Sequence, residues 1–213
     1  MSDTKNNSAD DVIILPPRRP PESLKAPPRA TLLTWLQLMR LPTVFTALSN
    51  ILCGYFITRA PKISDLPSST ELWFLLASTF GLYLGGMVLN DVFDAKLDAV
   101  ERPERPIPSG RISRKAATIL GVLLTVVGVI AAACVGIPSL LIALLIVPVV
   151  LVYNSVLKST IAAPLGMATC RFMNLMLGAS AVSEIAGLWN AIPFCIAAGL
   201  GLYILGVTVF ARN

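Results

Sequence analysis

The sequence predicts an all-α membrane protein that crosses the bilayer several times, and two observations carry that expectation. Hydrophobic residues make up 55% of the 213 positions and charged residues only 14%, with a mean hydropathy of +0.74; a soluble domain carries about 25% charged residues. The apolar residues also gather into about six runs, each near the ~20 residues that a helix needs to cross the hydrocarbon. Neither the alternation of a β-barrel nor an internal repeat is visible, so the runs are read as a helical bundle.

Taken in order, residues 1–30 are polar and proline-rich, with Pro16-Pro17-Arg18-Arg19-Pro20-Pro21 and then Pro27-Pro28-Arg29. Such a segment buries too little apolar surface to order itself and is expected to be a disordered tail. It lacks the short apolar core of a signal peptide, so the first span is expected to act as its own insertion signal. Residues 31–213 form the transmembrane domain. Its spans are expected at about 32–58, 72–94, 115–134, 138–157, 161–183 and 188–211. Pro61 to Thr70 reads as a short polar loop and Ala95 to Arg114 as a long charged one. Gly136-Ile137-Pro138, Lys158-Ser159-Thr160 and Gly187 mark brief turns.

The cations sort by loop. Lys96, Arg102, Arg105, Arg111, Arg114 and Lys115 lie between the second and third spans, Lys158 between the fourth and fifth, and Arg212 after the sixth. The opposite side receives Arg59 and Lys62. By the positive-inside rule the N-terminus and the long charged loop are cytoplasmic. The net charge of +5 is therefore a matter of topology, and no nucleic-acid partner is expected. Cys53, Cys134, Cys170 and Cys195 are isolated, without zinc-ligand spacing, and read as small core residues.

Chemistry concentrates where the second span ends, in Asn90-Asp91-Val92-Phe93-Asp94-Ala95-Lys96-Leu97-Asp98. On a helix, Asp91, Asp94 and Asp98 fall at i, i+3 and i+7 and share a face, with Asn90 on its flank. Three carboxylates at a span end are costly unless something cationic meets them. Oxygen ligands in a chain without histidine suit Mg²⁺, which keeps waters and bridges to substrate phosphates. Arg102 and Arg105 downstream supply further phosphate contacts. The residues thus point to a Mg²⁺–diphosphate site at the membrane surface.

Polar residues inside the spans extend this reading. Thr43, Thr46, Asn50 and Gly54 make a stripe that either lines a cavity or serves helix–helix hydrogen bonding. Gly81, Gly85 and Gly86 allow close helix approach, and Tyr83 lies on the Asn90 face two turns deeper. Lys158, after Tyr153-Asn154, either anchors at the interface or reaches a diphosphate from the Asp91 side. Arg171, with Asn174 three residues on, is an intramembrane cation in need of a partner. The acidic cluster, a bound phosphate or helix-end carbonyls would each serve. Glu184 reads as flanking the far end of the fifth span, without chemistry.

Together these residues resemble the UbiA superfamily of membrane prenyltransferases. The resemblance rests on Asn90-Asp91-x-x-Asp94-x-x-x-Asp98, Arg102-x-x-Arg105-Pro106-Ile107-Pro108-Ser109-Gly110, Arg40-Leu41-Pro42-Thr43 with Asn50, and the Tyr153…Leu157-Lys158 turn. The Cys170-Arg171-x-x-Asn174 stretch and the Thr208-x-Phe210-Ala211-Arg212 ending are most similar to a UbiA-like subgroup from ebo-type gene clusters. The resemblance implies a bundle around a central cavity and transfer of a prenyl group from a Mg²⁺-bound prenyl diphosphate to an aromatic or other lipophilic acceptor. Asn90, Asp91, Asp94 and Asp98 would hold the metal, with Asp91, Asp94 and Lys158 in the catalytic roles. Asn50, Asn90, Arg102, Arg105, Tyr153, Arg171 and Asn174 would bind substrate. Members of the superfamily have about nine spans and a second aspartate motif, which is not found in these 213 residues. A C-terminally incomplete chain is therefore the expectation. The rival reading is a non-catalytic membrane protein that binds or moves an isoprenoid or lipid-linked metabolite. A channel or transporter with an acidic mouth fits less well, because no acidic residue lies deep in a span.

Overall fold

A computed structural model of the chain describes residues 30–182 and 184–211. The expected tail, up to residue 29, and Arg212 lie outside the described residues. Within them the chain is helical, without strands. Helix α1 (Leu32–Met39) starts on a reciprocal cap, in which the Thr31 side chain accepts from the Thr34 N–H and Thr34 returns the bond. It stops at Arg40, which adopts the left-handed conformation (φ 48°). A 3₁₀ turn over Leu41–Val44 follows, then α2 (Phe45–Arg59). The first expected span is thus two helices bent at Arg40, because Pro42 lacks the N–H that would carry a helix through.

Helix α3 (Thr70–Glu101) is 32 residues long, so it runs past the expected end of the second span at residue 94 and carries Asp98 as well as Asn90, Asp91 and Asp94. Helices α4 (Arg114–Val135), α5 (Ile137–Ser155), α6 (Ala163–Ala179) and α7 (Ala191–Phe210) complete the bundle. Ser113 caps α4 by accepting from the Ala116 N–H at 3.1 Å. Among the described residues, five segments are long and apolar enough to cross a membrane: Leu32–Arg59, α3, α4, α5 and α7. The fifth expected span, 161–183, forms the 17-residue α6, shorter than the other spans and more polar. Its composition explains the difference: Gly166, Arg171, Asn174 and Gly178 suit contact with other helices, and Leu175–Ala179 are all buried.

Small residues set the helix spacing, as expected where lipid gives helices no hydrophobic reason to associate. A Cβ on Gly81 would stand 2.6 Å from the Leu124 carbonyl, and one on Gly128 2.8 Å from the Ser78 carbonyl, so α3 and α4 touch backbone to backbone. Gly54 and Gly178 do the same for α2 and α6, where an added Cβ would run into the Leu175 and Ile51 carbonyls respectively. Large apolar side chains such as Leu123, Ile130, Leu202 and Val207 face outward instead, as a lipid-facing surface requires. The cysteines are all free, and Cys53, Cys134 and Cys195 lie on that outer surface rather than in the core.

Candidate functional site

Successive residues of α3 are turned by about 100°, and the cations that meet them divide the acidic motif into two rows. The three carboxylates lie within about 60° of one another, Asp91 beside Asp98 on one flank and Asp94 beside Asn90 on the other. The first row meets arginines. Arg40 donates Nη2–H to Asp91 Oδ1 at 2.7 Å. Arg105 donates Nη1–H to Asp98 Oδ2 at 2.6 Å and stands 3.6 Å from Asp91 Oδ1. The second row meets Lys158, whose ammonium donates to Asp94 and, at 3.3 Å, to Asn90 Oδ1. The three carboxylates thus share the expected face, and each flank of it has its own cations. Among the described residues no three acidic side chains converge as a ready-made metal cage.

Local structure aims these cations. The left-handed bend at Arg40 lets its carbonyl accept from both the N–H and the hydroxyl of Thr43, at 3.0 and 2.8 Å, which fixes the turn from which the guanidinium reaches α3. Arg105 sits in a loop of tight turns. The Gly110 N–H bonds the Ile107 carbonyl (3.1 Å) with φ at 74°, a conformation that favours glycine. Ile112 pins the loop by burial among Leu38, Val88, Val92 and Ala117. Arg111 ties it to α1 through Gln37 at 3.4 Å. The 3₁₀ turn Leu157–Ser159 after α5 delivers Lys158.

Asp91 and Asp98 are buried, 5% and 4% exposed, and bare carboxylates there would be prohibitively costly. Three acids meeting three cations resolves that cost. Each cation donates a hydrogen bond to one carboxylate oxygen: Oδ1 of Asp91, Oδ1 of Asp94 and Oδ2 of Asp98. The second oxygen of each takes no hydrogen bond among the described residues. A hard donor set of that kind fits a divalent cation that completes its shell with phosphate oxygens and water.

Behind the charges, a cavity of about 300 Å³ opens between α2, α3, α5 and α6. Arg40 and Asn90 stand in its wall, together with Tyr83, Tyr153, Arg171 and Asn174. Arg171 donates Nη2–H to Thr46 Oγ1 at 3.0 Å and lies 5.8 Å from the Tyr83 ring centroid. No carboxylate meets it among the described residues, which removes the acidic cluster from the partners expected for it. Asn174 spends its amide on structure, donating to the Ala47 carbonyl at 2.8 Å and accepting from the Thr79 hydroxyl.

Two expected residues stand elsewhere. Asn50 is not in the cavity wall, and its amide nitrogen is buried without a partner among the described residues. On α2 it is Ala47, three residues earlier, that lines the cavity. Arg102 is exposed and caps α3 through its backbone, its N–H bonding the Asp98 carbonyl at 2.8 Å. It makes no ion pair among the described residues. Sequence reasoning noted Arg40 only as part of a pattern and missed it as the partner of Asp91. The signal was a cation at the same membrane face as carboxylates that needed one. Asn154, buried and donating Nδ2–H to the Gly86 carbonyl at 3.1 Å, was missed because a turn asparagine usually serves its own turn.

Helices spaced by glycines, with a charged cluster closing one end of an intramembrane cavity, define a polytopic helical membrane protein. The chain belongs to the UbiA prenyltransferase family, whose sequence model matches residues 43–212. It is similar to a digeranylgeranylglyceryl phosphate synthase from Metallosphaera sedula, 34% identical over 151 residues that make up 70% of this chain and 52% of that protein. The chain thus spans about half the length of that relative. Its fold is like that of a digeranylgeranylglyceryl phosphate synthase structure (TM-score 0.70, 24% identity, 82% of this chain and 60% of the other). It is also like that of a UbiA homolog from Aeropyrum pernix K1 (TM-score 0.67, 20% identity, 78% and 61%).

Proposed function

We propose that this chain supplies the donor-binding part of a prenyltransferase site, in which a prenyl diphosphate places its head among Asp91, Asp94, Arg40, Arg105 and Lys158 and its chain in the cavity. One observation carries the reading: Arg40 and Asn90 belong both to the charged cluster and to the wall of the cavity. An anionic head and an apolar tail joined at one carbon match that continuity.

Asp91 and Asp94, supported by Asn90 and Asp98, are the residues that would hold Mg²⁺. A bound divalent cation neutralises the negative charge that grows on a departing pyrophosphate. The rest falls to the chain itself. Arg40, Arg105 and Lys158 exchange carboxylate contacts for phosphate oxygens, so the cluster stays balanced as the ligand enters. The C1–O bond of the donor breaks, and its electron pair leaves with the diphosphate. Leu82, Met87, Ile146 and Val150 keep water from the allylic cation, and the faces of Tyr83 and Tyr153 stabilise positive charge nearby. A lipophilic acceptor then forms the new bond to C1 and gives up a proton. Arg171, with neutral partners only, faces that space as a contact for an anionic group on either substrate. The excess of cations in the 102–115 segment supports a cytoplasmic position for this end of the bundle.

The experiment is Mg²⁺-dependent binding and turnover of labelled geranyl diphosphate by the chain reconstituted in vesicles, beside Asp91→Ala and Asp94→Ala. Pyrophosphate release that both variants lose supports the reading. Tight binding without release across varied acceptors would instead indicate an isoprenoid-binding protein. Equal behaviour of wild type and both variants would rule out the diphosphate site.

A further inference from the structure

We infer that the far end of the donor chain passes Gly86 and lodges in a second apolar crevice between α3, α4 and α5, so that Gly86 and Val150 govern which prenyl lengths bind well. The inference rests on the donor reading above and adds the path and the length selection of the tail.

The crevice has a volume of about 280 Å³, close to that of the central cavity. Leu82, Gly86, Ile146 and Val150 line both spaces, so the two are neighbours through a shared wall. The outer side of the crevice is made by Val126, Val147 and Leu151, of which Val126 and Leu151 are exposed on the surface that faces lipid. No charged side chain lines it, and the hydroxyl of Thr125 in its wall donates to the Gly121 carbonyl at 2.8 Å, so it suits a hydrocarbon.

The shared wall is thin at one level. Gly86 has no side chain, and a Cβ there would stand 3.0 Å from Val150 Cγ1. What separates cavity from crevice at this height is therefore the Val150 isopropyl group. Two residues earlier, Pro148 lies inside α5 and cannot supply the N–H that the Leu144 carbonyl would take, which loosens the helix beside Val150. On the charged side of this level, the Asn154 amide bonds the Gly86 carbonyl at 3.1 Å and holds α5 to α3. The wall is thus fixed near the head group and yields next to the tail.

A bilayer acyl chain would find the same apolar lining. The prenyl tail is favoured because the space begins at the wall of the cavity whose other end carries the charged cluster. A short donor ends inside that cavity; a longer one must leave it, and this is an apolar way out that starts from the cavity's own wall.

The test uses geranyl and geranylgeranyl diphosphate analogues with a diazirine at the tail end, irradiated on the reconstituted full chain with peptide mapping. The long analogue is expected to label α4 and α5 around Val126, Val147 and Leu151, in competition with unlabelled donor. The short one is expected to label the central wall. Val150→Phe is expected to lower the long-to-short affinity ratio by about tenfold or more, since several buried methylenes lose their place. Leu151→Trp, which fills the crevice from the lipid side without entering the central cavity, should move the ratio in the same direction if Val150→Phe does not fold. Labelling of α2 or α6 by the long analogue, labelling that bulk lipid but not donor suppresses, or an unchanged ratio would overturn the inference. Failure of the unsubstituted chain to bind either analogue would instead show that the donor reading itself fails.

Discussion

Arg40 Nη2 stands 2.7 Å from Asp91 Oδ1, across 51 residues of sequence, and the pair joins the bend between α1 and α2 to the acidic row of α3. Arg40 is a third exposed while the Asp91 side chain is 6% exposed, so the arginine lies between solvent and a buried charge. Arg40→Met is expected to destabilise the protein by roughly 1–3 kcal/mol, because a buried carboxylate loses one of its two cations. Asp91→Asn on top of it should recover part of that loss. Thermal unfolding of the four proteins in one detergent gives the coupling; additive effects would mean that the pair does not act as a unit.

Lys158 is expected to matter more to ligand than to fold. Its turn is a 3₁₀ segment at the surface of the bundle, and its partners Asp94 and Asn90 keep access to solvent. Lys158→Met should weaken Mg²⁺-dependent binding of geranyl diphosphate by about tenfold or more, the usual scale for one charge-assisted hydrogen bond. Isothermal titration in nanodiscs measures it, with unfolding temperature recorded on the same samples.

Helix spacing makes a sharper structural prediction. Gly178→Val would drive its first added carbon into the Ile51 carbonyl. It should part α2 from α6 and cost roughly 1–3 kcal/mol or more. Gly199→Ala is the matched control, since a Cβ there meets nothing within 4 Å. It should be neutral or stabilise by up to about 1 kcal/mol, through helix propensity alone. The two unfolding temperatures should therefore move in opposite directions or differ by several degrees.

Arg171→Gln separates a ligand contact from a structural one. The guanidinium has a hydroxyl and an aromatic ring for partners, so its removal leaves no acidic group unpaired. The fold should hold while binding of an anionic substrate falls by about tenfold. A collapse of stability with unchanged binding would assign Arg171 to the bundle instead.

Much of this was legible before any coordinates. Length, hydropathy and loop charge are additive along a chain, and so membrane insertion and helical class follow from them. The acidic motif was legible because three carboxylates at the end of an apolar run are too costly to keep there without a cation to meet them. Asn90, Tyr153, Arg171 and Asn174 were singled out, and all four stand in the cavity wall.

What escaped depended on rotation and distance between helices. The sequence by itself determined that this is a polytopic helical membrane protein with Asp91, Asp94 and Asp98 gathered on one span end and cations nearby. Only the tertiary structure decided that Arg40 and Arg105 take Asp91 and Asp98 while Lys158 takes Asp94. It also decided that Asn50 stands outside the cavity wall, and that α6 is a largely buried helix of 17 residues. The reason is physical: a residue's height along a span is set by counting. Its azimuth and partners are set by glycine contacts such as Gly54–Gly178 that lock each helix against its neighbour.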